Sequence, residues 1–240
     1  NTAVGVSSLA ANTTANNNTA IGYQSLDVNT TGATNVAVGS HALGANTTAA
    51  NNTAVGYGAM IANTTGGNNT AVGYGALDGN TTVSESTAVG YSTLGAANTG
   101  VRNQAFGTEA MLLNTSGADN AAVGKSALQN NTTGSYHTAI GNYALKSNTT
   151  ADSNTAVGYY SLQANTTGAS NVAVGYQALD ANTTASYNTA VGHSSLGANT
   201  TGANNTAVGR EAMLSNTTGA YNTAVGGVAL DANTEGDSNV

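Results

Sequence analysis

Twelve asparagines, Asn12, Asn29, Asn46, Asn63, Asn80, Asn114, Asn131, Asn148, Asn165, Asn182, Asn199 and Asn216, each precede Thr-Thr or Thr-Ser. Such a triplet supports two chemistries. In a chain that meets a glycosylation machinery, the amide nitrogen is an N-glycan acceptor. In a stacked structure, amides one above another form a hydrogen-bonded ladder and the hydroxyls cap backbone groups. Two related copies, at Ala97 and at Glu235, lack the triplet without disturbing the sequence around it. That makes the ladder the preferred reading and glycosylation the alternative.

Other reactive groups are scattered. His41, His137 and His193 share no common place in the pattern described below, so they read as surface groups and not as metal ligands. Asp27, Asp78, Asp180 and Asp231 do share one, but most copies carry a non-acidic residue there, which argues against a calcium roll. No phosphate-binding glycine loop is present. The expectation is a non-enzyme without cofactor or metal. With Lys+Arg 4 against Asp+Glu 11 and a net charge of -7, the chain has no cationic footprint for nucleic acid or an anionic membrane. No apolar run is long enough to span a bilayer. Cys 0 excludes disulfides and thiolate sites.

The element that positions all these groups is a repeat. A glycine after an Ala-aliphatic pair recurs every 17 residues from Gly5 to Gly226, giving 14 copies without an insertion and leaving Asn239 and Val240 to open another. Both ends fall inside the array, so a slice of a longer fibre is expected. Indel-free repetition implies stacked coils, because one inserted residue would break every ladder. The expected fold is all-β: a parallel β-solenoid or β-roll of 14 stacked 17-residue coils, forming a single array over residues 1–240. Helical-pair, leucine-rich and propeller repeats all need longer periods.

Numbering each coil 1 to 17 from Asn1, positions 1 to 5 read as a strand by alternation. Positions 7 to 11 suit a second strand or extended corner, with a single helical turn as the alternative. Positions 12 to 16, Asn-Thr-Thr-Gly-Ala, are turn chemistry. Position 4 is Val, Ile or Phe and position 9 is Leu or Met in every copy. Val4, Leu9, Ile21 and Leu26 therefore represent the expected core. Two such anchors are a thin core for one coil, which points to self-association. Position 3 is always Ala and position 5 always Gly. Ala3, Gly5, Ala20 and Gly22 are accordingly candidate subunit contacts, the alternative being that glycine only supplies positive φ at a corner. Tyrosines at position 6, together with Tyr136, Tyr187 and Tyr221 at position 17, offer stacking surfaces for carbohydrate or a neighbouring fibre, or else cover apolar edges. Lys125, Arg210, Glu109 and Glu211 mark positions 6 and 7 as outward-facing. The threonine row at position 13, broken only by Asn98, raises ice binding as a minor alternative.

Asn18-Thr19-Ala20-Ile21-Gly22 and residues 154–158 resemble the head repeats of trimeric autotransporter adhesins. Residues 175–184 are similar also to repeats of phage tail-fibre-like proteins and large bacterial surface proteins. The resemblance implies a left-handed parallel β-roll, a homotrimer and an extracellular, cell-surface or virion location. It implies a structural fibre or adhesin shaft or head presenting a repetitive polar and tyrosine-bearing surface to a host surface or glycan. An ice-binding or carbohydrate-binding solenoid and a tail-fibre shaft are the alternatives.

Overall fold

A computed structural model of the chain describes residues 1–240, which form two compact units, 1–119 and 120–240. Each is a parallel β-solenoid of seven coils. One three-residue strand per coil occupies positions 2 to 4, from Thr2–Val4 to Gln104–Phe106 in the first unit and from Ala121–Val123 to Thr223–Val225 in the second. Neighbouring strands within a unit pair in register. Ala20 lies opposite Ala37, and Ala156 opposite Ala173. The equal repeat length leaves no other register, because a one-residue slip would turn every side chain to the wrong face.

Positions 6 to 11 form neither a second strand nor a helical turn. They are a run of turns in which positions 7 and 9 are left-handed, as at Gln24 (φ 52) and Leu26 (φ 49). Left-handed backbone costs a residue with a side chain about 1–2 kcal/mol. Here it turns two consecutive residues inward: Ala42 and Leu43 are both fully buried, as are Ala76 and Leu77. Strand alternation cannot do that. Burial of each leucine offsets the strain by about 1.5–3 kcal/mol. The turns are also stitched between coils, with Leu26 N–H donating to Ala42 O at 3.1 Å and Leu43 N–H to Ala59 O at 3.0 Å.

The strand faces the opposite way from the expectation. Ala20, Ala37 and Ala54 are fully buried, whereas Val4 is 58% and Ile21 39% exposed. Leu9 and Leu26 do lie in the interior. Volume gives the reason: one Leu or Met and two Asn per coil fill the narrow lumen, and only alanine fits on the strand's inner side. Ala20 is thus enclosed by its own chain and is not a surface for a partner. Gly22 shows φ +133, and a Cβ there would sit 2.6 Å from Gly39 backbone atoms. The close approach inferred for this position is made by the next coil of the same chain.

Candidate functional site

Two polar ladders run through the lumen. At position 12, Asn46 Nδ2 donates to Asn29 Oδ1 of the preceding coil at 2.8 Å and to Ala49 O at 3.1 Å. At position 1, Asn35 Nδ2 donates to the same Ala49 O at 2.8 Å, while its Oδ1 accepts the Asn52 backbone N–H at 2.9 Å. The position-15 carbonyl therefore receives two side-chain amides, and each ladder satisfies groups that the small apolar lining cannot. The second unit repeats this at Ala185 O, which accepts from Asn171 at 2.9 Å and Asn182 at 3.0 Å.

This arrangement bears on the two chemistries of the Asn-Thr-Thr triplets. Apart from partly exposed Asn12 in the first coil, all the candidate acceptors, from Asn29 to Asn216, have no exposed surface. Both Nδ2 hydrogens of Asn46 are already engaged. A glycan would have to replace one of them inside a closed lumen. In the folded solenoid these are ladder positions.

The position-13 hydroxyls are also committed. Thr30 Oγ1 donates to Thr47 O at 3.1 Å, and Thr64 Oγ1 to Thr81 O at 2.9 Å. Free hydroxyls lie elsewhere, on the outward side of the strands. There Thr53, Thr70 and Thr87 stand beside Val55, Val72 and Val89, all half-buried and in register. These strand threonines make no side-chain hydrogen bond within the chain. No position-2 or position-4 residue is charged. The aliphatic row remains exposed where it is bulkiest, at Ile21 39%, Phe106 39% and Ile140 41%. Its signal in the sequence is tolerance: position 3 is always Ala and position 1 is Asn except at Ser86 and His137, while positions 2 and 4 admit Thr, Val, Gln, Ala, Ile and Phe.

Past Gly5 and its equivalents, positions 6 and 7 carry an aromatic column in each unit. In the first unit Tyr57 stacks on Tyr74 with centroids 5.3 Å apart, and Tyr74 on Tyr91 at 5.5 Å. His41 meets Tyr23 edge-on at 5.3 Å. In the second unit Tyr159 stacks on Tyr176 at 5.7 Å, Tyr176 on His193 at 5.1 Å, and Tyr143 on Tyr160 at 5.1 Å. Lys125 Nζ and Lys146 Nζ lie 5.7 and 5.5 Å from the Tyr143 ring. The Tyr160 hydroxyl, hydrogen-bonded to Tyr159, pushes the Tyr159 phenol up to about 12. Tyr136, Tyr187 and Tyr221 at position 17 stand apart and are about two-thirds exposed.

The remaining candidates do not converge. His137 is buried in the position-1 ladder, whereas His41 and His193 belong to the aromatic columns. Asp78 and Asp180 occupy separate coils, and partial burial holds both carboxyls above the usual range. Arg102 grips Asp119 with two hydrogen bonds of 2.6 and 2.9 Å, which holds that carboxyl low. No three His, Asp or Glu side chains gather, and no helix is long and apolar enough to cross a membrane. No protein-family model, curated protein or solved structure matches the chain.

Proposed function

We propose that the chain is a structural element of an extracellular fibre, self-associating through the outward Thr and Val rows. The carrying observation is the uncharged aliphatic row at position 4, which stays solvent-accessible along each unit although it is the largest apolar feature of the strand. Contiguous apolar surface of this kind marks an interaction site. A surface with one identical rank per coil is best matched by a partner with the same rise, and a second copy has it. Tyrosines bordering the row suit the rim of such a contact. Three copies about an axis parallel to the stack, as in the left-handed rolls that the repeat resembles, would bury all three rows together. The subunit contact then moves from Ala3, Gly5, Ala20 and Gly22 to the Val4 and Ile21 row.

Sedimentation equilibrium of the chain tests this directly. A mass near three times 23.4 kDa, or a larger filament, is expected, and a folded monomer would refute the reading. A second reading rests on the same rows. Unbonded threonine hydroxyls and valine methyls recur about 4.8 Å apart between coils and about 6.7 Å apart along the strand. Such a regular array suits an ice plane. A monomer that produces thermal hysteresis would establish it; a multimer with none would remove it.

A further inference from the structure

We propose that the aromatic column of the second unit, centred on Tyr143, binds a linear acidic polysaccharide. Lys125 and Lys146 bracket the Tyr143 ring at 5.7 and 5.5 Å, in a chain with only 4 Lys+Arg and a net charge of -7. Tyr160 stacks on Tyr143 at 5.1 Å and meets Tyr159 at 4.2 Å, and Tyr159 leads on to Tyr176 at 5.7 Å. No carboxylate occupies positions 6, 7 or 10 of these coils until Asp180, beyond Tyr176. The matching column of the first unit differs. It has no cation and carries Asp27, Asp78 and Glu109, so any preference for an anion belongs to the second unit alone.

The geometry selects the ligand class. Tyr143 and Tyr160, and Tyr159 and Tyr176, turn ring faces towards each other, and two ammoniums lie beside Tyr143. That surface offers hydrogen bonds to sugar hydroxyls and charge-assisted bonds to carboxylate or sulfate. Two cations neutralise too few phosphates to hold a nucleic acid. From Lys125 to Tyr176 the stack rises about 14 Å, so the ligand must be extended and repeat its groups along the coil axis. The column lies beside the Val row, at the rim of the proposed self-association contact, where side chains stay solvent-accessible.

The test is affinity electrophoresis of the whole chain through gels containing polygalacturonate, heparin or dextran, with binding of oligothymidylate measured in parallel. Retardation is expected with polygalacturonate and heparin, but not with dextran. High salt should abolish it, since the contacts are exposed charge pairs. The variant K125Q/K146Q should bind about tenfold more weakly with unchanged circular dichroism and sedimentation mass, whereas R102Q in the first unit should bind as the parent does. Equal retardation by dextran, tighter binding of oligothymidylate, retardation that survives high salt, or undiminished binding by K125Q/K146Q would each overturn the proposal.

Discussion

Coils 6 and 9 both lack asparagine at position 1, and they handle the loss differently. In coil 9, His137 reproduces both functions of the amide. Its Nδ1 accepts the Asn154 N–H at 3.1 Å, which fixes the proton on Nε2, and Nε2 faces Ala151 O at 2.7 Å. Its backbone N–H still donates to Asn120 Oδ1 at 2.9 Å. In coil 6, Ser86 keeps only the acceptor function, taking the Asn103 N–H at 3.3 Å. The serine is too short to reach the Gly100 carbonyl, so Asn103 Nδ2 of the next coil bridges to it at 3.0 Å. The same coil has Ala97 at position 12 and Asn98 one residue later. Asn98 Oδ1 still accepts from Asn114 at 3.2 Å, but its buried Nδ2 has no partner. Asn80 Oδ1, left without an amide from above, accepts Val83 N–H at 3.1 Å. The ladder thus requires a donor and an acceptor at the right reach, not asparagine as such. Coil 6 is the weak joint of the first unit.

The largest effect should come from breaking the good substitution. His137→Leu leaves the Asn154 N–H without an acceptor and removes one donor to Ala151 O, so a loss of about 3 kcal/mol in urea unfolding is expected. A loss below about 1 kcal/mol would mean that the ladder is ornamental.

The next effect is a pH dependence confined to coil 9. Burial pushes the His137 imidazole below its ordinary 6.5, outweighing the bond to Ala151 and the field of Asp152, which favour the charged form. The unfolded chain then binds the proton more readily than the folded one. Stability should fall as pH drops through about 6.5 and below, and His137→Asn should remove that part of the dependence. Unfolding midpoints between about pH 7.5 and 5 for both chains would show it, and identical slopes would contradict the assignment.

The smallest effect is a repair. Ser86→Asn restores a donor to Gly100 O and should stabilise the chain by about 1 kcal/mol, raising amide-exchange protection in residues 86–102. No gain would mean that the Asn103 bridge already compensates.

Much of this was legible in the sequence. The coil length, the Leu9 and Leu26 row, the turn at Asn-Thr-Thr and the amide ladder at position 12 all follow from residue type at fixed spacing. The direction of the strand did not. Alternation separates Ala20 from Ile21 but carries no sign, and hydrophobicity alone points the larger residue inward. Lumen width decides the sign, and lumen width depends on the left-handed residues at positions 7 and 9, which Gln24 and Leu26 do not announce. The aromatic columns were visible as tyrosines, yet the pairing of Lys125 and Lys146 about Tyr143 needed the stack to bring positions 6, 7 and 10 together.

Charge placed within the outward row separates a self-associating solenoid from an isolated one. Val55→Glu, Val72→Glu and Val89→Glu in one chain add three carboxylates to a surface that is half-exposed in the single chain, so each coil should still fold. Sedimentation equilibrium beside circular dichroism should then show a folded monomer of about 23.4 kDa where the parent chain is a multimer. A variant that keeps the parent's multimeric mass with the row charged would contradict the account.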